Sequence, residues 1–238
     1  MLIKIYSKLH SHFGSQHWWP VTKEKELVPK YHQSIKLNPK QKLEICFGAI
    51  LTQNTNWKNV EKAIIQLNKH QLISIKKILK IDNKKLAEVI RSSGYHNQKA
   101  IKLKNFCYFL SKNYNGNLNL FFKNNIEKLR KELLEINGIG PETADSIILY
   151  AAEKPIFVID AYTKRVYSRI FNIKRELKYE ELQKIFEKSF KKEAKLFNEC
   201  HALLVELGKN VCKKVPLCNQ CPINNMCNYY KTLNTNNN

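Results

Sequence analysis

The reactive groups of this 238-residue chain fall in two places. The first is a crowd of thiols near the C-terminus, Cys212-x5-Cys218-x2-Cys221-x5-Cys227. Thiolates are soft ligands, and four of them in one short stretch point to a metal site where disulfides are not expected. Tetrahedral zinc and a [4Fe–4S] cluster are the two occupants that suit them. Structural zinc sites favour two tight pairs, whereas here one pair is tight and the outer cysteines are spread evenly around it. A cubane presents four separated iron corners, so the spacing favours [4Fe–4S], with zinc as the alternative. Cys46, Cys107 and Cys200 lie on apolar helical faces and read as small core residues.

The second place is Leu134-Glu-Ile-Asn-Gly-Ile-Gly-Pro-Glu-Thr-Ala-Asp-Ser-Ile-Ile-Leu149, with Asp160 eleven residues further on. It reads as a helix, a tight Gly138-Ile139-Gly140 turn, a second helix and a third helix opened by Asp160. Glycines let backbone N–H groups approach a phosphate with no Cβ in the way, and the following helix points its positive end there. Such a turn holds a nucleic-acid backbone without reading its bases. Asp160 is by position a helix N-cap, worth about 1 kcal/mol. It is also a carboxylate placed for chemistry on the nucleotide being held.

The elements that carry these groups are helical. Leu43, Cys46, Phe47, Ile50 and Leu51 share one face, as do Ala100, Leu103, Cys107 and Leu110, and Leu196, Phe197, Cys200, Leu203, Leu204 and Leu207. No two-residue alternation runs long enough for a sheet. Breaks at Pro29, Asn38-Pro39, Ser92-Ser93-Gly94, Asn115-Gly116-Asn117 and Lys154-Pro155 divide the chain into roughly ten short helices. The fold class is therefore all-α. The tail Asn234–Asn238 has the composition of a disordered segment. No apolar run reaches membrane-spanning length and the N-terminus carries no cleavage signal, so a cytoplasmic protein is expected, with no membrane partner. The formal charge of +21 suits a polyanionic partner. Most of that charge is lysine, however, and coding bias toward Lys and Asn accounts for part of it.

Hairpin, carboxylate and cysteines, in this order and at these distances, resemble the helix-hairpin-helix/Gly-Pro-Asp superfamily of DNA glycosylases, and endonuclease III and its relatives in particular. The resemblance runs from about Leu43 to Cys227. It implies a two-lobed all-α fold around a DNA-binding cleft. Residues 34–154 would form a six-helix barrel lobe containing the hairpin at about 133–150. Residues 1–33 and 155–238 would form the second lobe, with a [4Fe–4S] loop over 212–227. It also implies base-excision repair: a damaged base is extruded from double-stranded DNA and its N-glycosidic bond is cut, by a protein expected to act as a monomer in the cytoplasm.

Two departures from the family pattern stand out. The first cysteine gap holds five residues where the family most often has six. More consequentially, Glu142 occupies the position of the endonuclease III lysine that attacks the sugar and forms the Schiff base for strand cleavage. A carboxylate forms no Schiff base, so the chain is expected to be a monofunctional glycosylase. Gln53-Asn54-Thr55 before Trp57, Trp18-Trp19-Pro20 and Ser93-Gly94-Tyr95-His96-Asn97-Gln98-Lys99-Ala100 resemble the 3-methyladenine glycosylases of the endonuclease III group, which also carry glutamate at the Glu142 position. An alkylated purine is the implied substrate.

On this resemblance Asp160 becomes the catalytic carboxylate, stabilising the oxocarbenium-like sugar and orienting or deprotonating water. Glu142 would favour a cationic base, though it reads equally as an ordinary first-turn residue. Trp57, Trp18 and Trp19 would stack on that base, gaining up to ~2 kcal/mol of cation–π attraction, with core packing as the other reading. Gln53 would fill the gap left in the duplex. Gly138, Ile139 and Gly140 would hold a DNA phosphate, with Gly94 and Lys99, or Lys164 and Arg165, as further phosphate contacts. His201 is expected near the cysteine cluster. Lys209, Lys213 and Lys214 are expected to face DNA. Two other functions remain open: an endonuclease III-type glycosylase with lyase activity on oxidised pyrimidines, and a non-catalytic DNA-binding module built on zinc.

Overall fold

The structure, a computed structural model, describes residues 1–33 and 35–235, with only the backbone at Asn234 and Thr235. In chain order the α-helices are α1 (Leu2–Phe13), α2 (Pro39–Leu51), α3 (Trp57–Lys69), α4 (Ile75–Lys80), α5 (Asn83–Val89), α6 (His96–Tyr114), α7 (Leu118–Phe122), α8 (Ile126–Leu134), α9 (Pro141–Ser146), α10 (Ala161–Phe171), α11 (Tyr179–Ser189), α12 (Ala194–Asn210) and α13 (Asn228–Thr235). A π-helical turn, Ile147–Ala151, continues α9. Among the described residues no strand forms, and Val21 and Lys30 make one isolated antiparallel bridge. The all-α expectation holds. Asn234 and Thr235 continue α13 instead of fraying, and Asn236–Asn238 lie outside the described residues.

Asparagine sets many of the boundaries. Asn38 caps α2 in a capping box with Gln41, with Pro39 at the first helical position. Asn56, Asn117 and Asn125 each accept the third N–H of α3, α7 and α8. Asn115 and Asn172 close α6 and α10 with φ of 51° and 53°, the left-handed region that asparagine tolerates better than most residues.

The chain divides into two compact units. A middle unit spans Trp19–Lys154, and an outer unit joins Met1–Trp18 to Pro155–Asn238. The middle unit is built around α2, which is buried along nearly its whole length and meets α3, α6, α7, α9 and the π turn. A helix apolar almost all round must be enclosed in this way. Residues 19–33, assigned from the sequence to the second lobe, pack with the middle unit instead. The tie is polar. Buried Glu44 accepts the Thr22 N–H at 2.7 Å and an Asn68 amide N–H at 2.9 Å, and Val21 is fully enclosed. Nothing in the apolar pattern announces a clip of this kind.

In the outer unit α1 buries Leu2, Ile5 and Leu9 against α11 and α12, and α10 packs on α12 and α13. Before α10 the buried segment Ile156–Ile159 has neither helix nor sheet pairing, so its backbone groups need other partners. Helix α11 supplies them. Glu187 accepts the Phe157 N–H at 3.0 Å, Gln183 donates to the Phe157 carbonyl at 2.7 Å, and the Tyr179 hydroxyl accepts the Ile159 N–H at 3.3 Å. This strap delivers Asp160 to the head of α10.

Candidate active site and cysteine loop

The hairpin is α8, a turn over Glu135–Gly140, and α9. Gly138 has φ 95°, which a residue with a side chain rarely adopts, and Gly140 serves as N-cap of α9 with Pro141 behind it. Ile139 is buried, and its N–H donates back to the Ile136 carbonyl at 3.0 Å. Arg130 of α8 pairs with Asp145 of α9 at 2.8 Å, with the Asp145 side chain fully buried, so the two helices are pinned across the turn. Glu142 lies exposed in the first turn of α9, and Ser146 donates to its backbone carbonyl.

Gln53, just past α2, reaches the same turn. Its amide nitrogen donates to the Gly138 carbonyl and to Thr143 Oγ1, both at 2.9 Å. Its side-chain oxygen accepts from Lys102 Nζ of α6 at 2.5 Å. Lys99, one turn earlier on α6, is not a surface phosphate contact. It is 1% exposed and donates to the Leu51 and Ser93 carbonyls at 2.8 and 2.6 Å. Burial, helped by the charge of Lys102, pulls its amine down to about 8. Tyr95 at the head of α6 is 65% exposed and holds φ 47°.

The sequence treated the tryptophans as one group, and the structure divides them. In the middle unit Trp19 meets Trp57 edge-on at 5.5 Å and Tyr150 of the π turn at 5.1 Å. Gly48 makes room for this trio, since a Cβ there would stand 3.1 Å from the Trp19 indole nitrogen. Trp18 belongs to the outer unit, where its carbonyl accepts from Asn198 at 2.8 Å and its ring meets His201 edge-on at 5.9 Å.

Asp160 caps α10, Oδ1 accepting the Thr163 N–H at 2.7 Å, and its side chain keeps 13% of its surface. His201 of α12 sits beside this carboxylate, Nε2 lying 3.9 Å from Oδ1, and does not line the cysteine cavity. Burial holds the imidazole below its ordinary value, and the Asp160 charge opposes the shift without cancelling it. Asp160, His201 and Trp18 therefore form one group in the outer unit. No local pattern announces this group, because the pairing depends on how α10 crosses α12.

The four C-terminal cysteines line one cavity of about 290 Å³, part of it open to solvent, together with Arg169 and Tyr229. Arg169 donates to Cys212 Sγ at 3.3 Å and to the Lys214 carbonyl at 2.9 Å. Arg165, expected to face DNA, is instead tied to the Cys212 and Gly208 carbonyls at 2.9 and 2.8 Å. Burial and the neighbouring thiols raise Cys218, and burial pushes Cys221 up to about 11. Among the described residues no three Cys, His, Asp or Glu close round a single metal ion. Four soft donors lining one cavity, with a guanidinium against one sulfur, are the kind of donor set a thiolate-bound metal centre uses.

The model of the HhH-GPD superfamily of base excision DNA repair proteins matches residues 47–192. The chain belongs to this superfamily. Among its relatives is a Methanocaldococcus jannaschii protein provisionally named a DNA repair glycosylase, 44% identical over 95% of this chain and 96% of its own length. Endonuclease III of Sulfolobus acidocaldarius is 32% identical over 77% of this chain and 80% of its own. Among solved structures, the Helicobacter pylori 3-methyladenine DNA glycosylase bound to 1,N6-ethenoadenine aligns with a TM-score of 0.70 at 29% identity, covering 87% of this chain and 97% of that one. This HhH-GPD protein is a base excision repair DNA glycosylase, and its fold is that of the superfamily. No helix among its described residues is long and apolar enough to cross a membrane.

Proposed function

We propose that this glycosylase is monofunctional and releases alkylated purines from double-stranded DNA. The observation that carries the reading is Glu142. It stands in the first turn of α9, where the lyase-type resemblance calls for an amine, and a carboxylate cannot attack a sugar to form a Schiff base. The trio Trp19, Trp57 and Tyr150 supports the substrate class. A 3-alkylated adenine is cationic, and an indole face attracts a cation more strongly than a neutral base. The similarity to a 3-methyladenine glycosylase points the same way.

In this reading Asp160 stabilises positive charge on the sugar as the base departs and orients the attacking water. A cationic base is already a good leaving group, so no strong general acid is needed. Ile139 spends its N–H inside the turn, which leaves the N–H groups of Gly138 and Gly140 as the donors for a DNA phosphate. Exposed Tyr95 offers a further face for a base to stack on. Cys212, Cys218, Cys221 and Cys227 would hold a [4Fe–4S] cluster. When bound, it supplies a structural tie and not a redox step in base release.

The experiment pairs two measurements. Mass spectrometry of the bases released from alkylated and from oxidised DNA should find alkylpurines and no oxidised pyrimidines. Borohydride added with an abasic duplex should trap no covalent adduct. A trapped adduct with pyrimidine release would replace this reading by the endonuclease III-type one, which the similarity to that enzyme favours.

A further inference from the structure

Gln53 is held by the hairpin, and the group that holds its oxygen carries charge. Its amide nitrogen has two N–H bonds, and the Gly138 carbonyl and Thr143 Oγ1 take both. Lys102 Nζ donates to its oxygen. Lys102 gets there by laying its stem across Gly138, where a Cβ would stand 2.4 Å from Lys102 Cγ. A glycine at 138 therefore does two things: it permits the φ of 95° and it leaves a channel for the lysine. The ammonium thus lies against the turn proposed to bind phosphate, bonded to a neutral amide oxygen.

We propose that Lys102 is a positioning residue that parks Gln53 on the hairpin in the free protein and moves its ammonium to a DNA phosphate on loading, which frees Gln53 to enter the duplex. The proposal rests on the reading above of the hairpin as a phosphate site and of Gln53 as the residue that fills the gap. A charged donor gains more from an anionic oxygen than from an amide oxygen, so an arriving phosphate outcompetes Gln53. A lysine suits the exchange, being a point charge with rotatable donors on a flexible stem. Without the charged bond, Gln53 keeps only neutral partners at the hairpin.

The test uses the full chain and a duplex carrying a tetrahydrofuran abasic site opposite 2-aminopurine, whose fluorescence rises when it unstacks. Lys102→Met keeps the stem and removes the charge, Lys102→Arg keeps the charge, and Lys102→Gln replaces the methionine variant if that one does not fold. Lys102→Met should flatten the slope of log K against log salt by about 0.9, one phosphate contact, while Lys102→Arg retains it. At saturating protein the fluorescence rise should be faster in Lys102→Met than in wild type and absent in Gln53→Ala. If the rise depends on Gln53 but Lys102→Met leaves the slope or the rate unchanged, or slows the rate, this proposal falls and the wedge reading stands. If Gln53→Ala gives the wild-type rise, the wedge reading falls and takes the proposal with it.

Discussion

Asp160 shows how one carboxylate serves the fold and the proposed chemistry together. Its Oδ1 is committed to the Thr163 N–H, a cap that asparagine supplies equally well. Asp160→Asn should therefore leave the melting midpoint close to wild type while single-turnover base release falls by about 10²–10⁴-fold, the span of a general acid–base group. A variant that keeps releasing bases would refute the catalytic assignment. His201 beside it titrates with a definite sign. Its folded value lies below the ordinary 6.5, so between those two values the unfolded chain binds more protons than the folded one. The stability it contributes is present at neutral pH and lost as pH falls below about 6.5 toward the folded value. Urea midpoints of the wild type should decline across that window, and His201→Gln should flatten the decline. Asp160 was legible in the sequence, because a carboxylate ahead of a polar-apolar helix reads as a cap whatever else it does. His201 was not, since its neighbours are set forty-one residues apart by the α10–α12 crossing and leave no local trace.

At the scale of elements, much of the helix pattern could be read in advance because its punctuation is local. Asparagine caps, Pro39 and the Lys154-Pro155 break act within a turn or two of chain. Three elements escaped for the opposite reason. The π turn that carries Tyr150, the strap Ile156–Ile159 and the segment 19–33 are each held by distant side chains, from Trp19, α11 and Glu44 respectively. The hairpin was legible as a motif, but its pin was not. Arg130 and Asp145 read as ordinary helix charges, yet the aspartate is fully buried. Removing one partner of a buried pair strands the other, so Arg130→Met should cost about 3–5 kcal/mol in urea unfolding. A loss under about 1 kcal/mol, the worth of an exposed pair, would mean that the pin carries little.

For the whole molecule the formal charge of +21 sets the long-range behaviour: affinity for DNA should fall steeply with salt. Lys209 in the last turn of α12 and Lys213 and Lys214 on the loop flank Cys212 in sequence, and neutralising all three should flatten the salt slope by up to about 0.9 for each phosphate lost. Titration of a labelled duplex across a salt series measures it, and an unchanged slope would remove them from the DNA-binding face. The same loop should bind iron: anaerobically purified protein should be brown, and Cys221→Ser should lose both the colour and the iron found by elemental analysis. Colourless protein containing zinc would support the alternative metal. The two-unit plan was legible only in outline, because units are defined by which surfaces close on each other. That plan also fixes an order of events during synthesis. The middle unit, Trp19–Lys154, is one continuous run and can close as soon as it leaves the ribosome. Helix α1 emerges before that unit, yet its apolar face of Leu2, Ile5 and Leu9 is built to meet α12, nearly two hundred residues behind it. Helix α1 therefore waits, with its greasy side uncovered, while the whole middle unit is made and α12 follows.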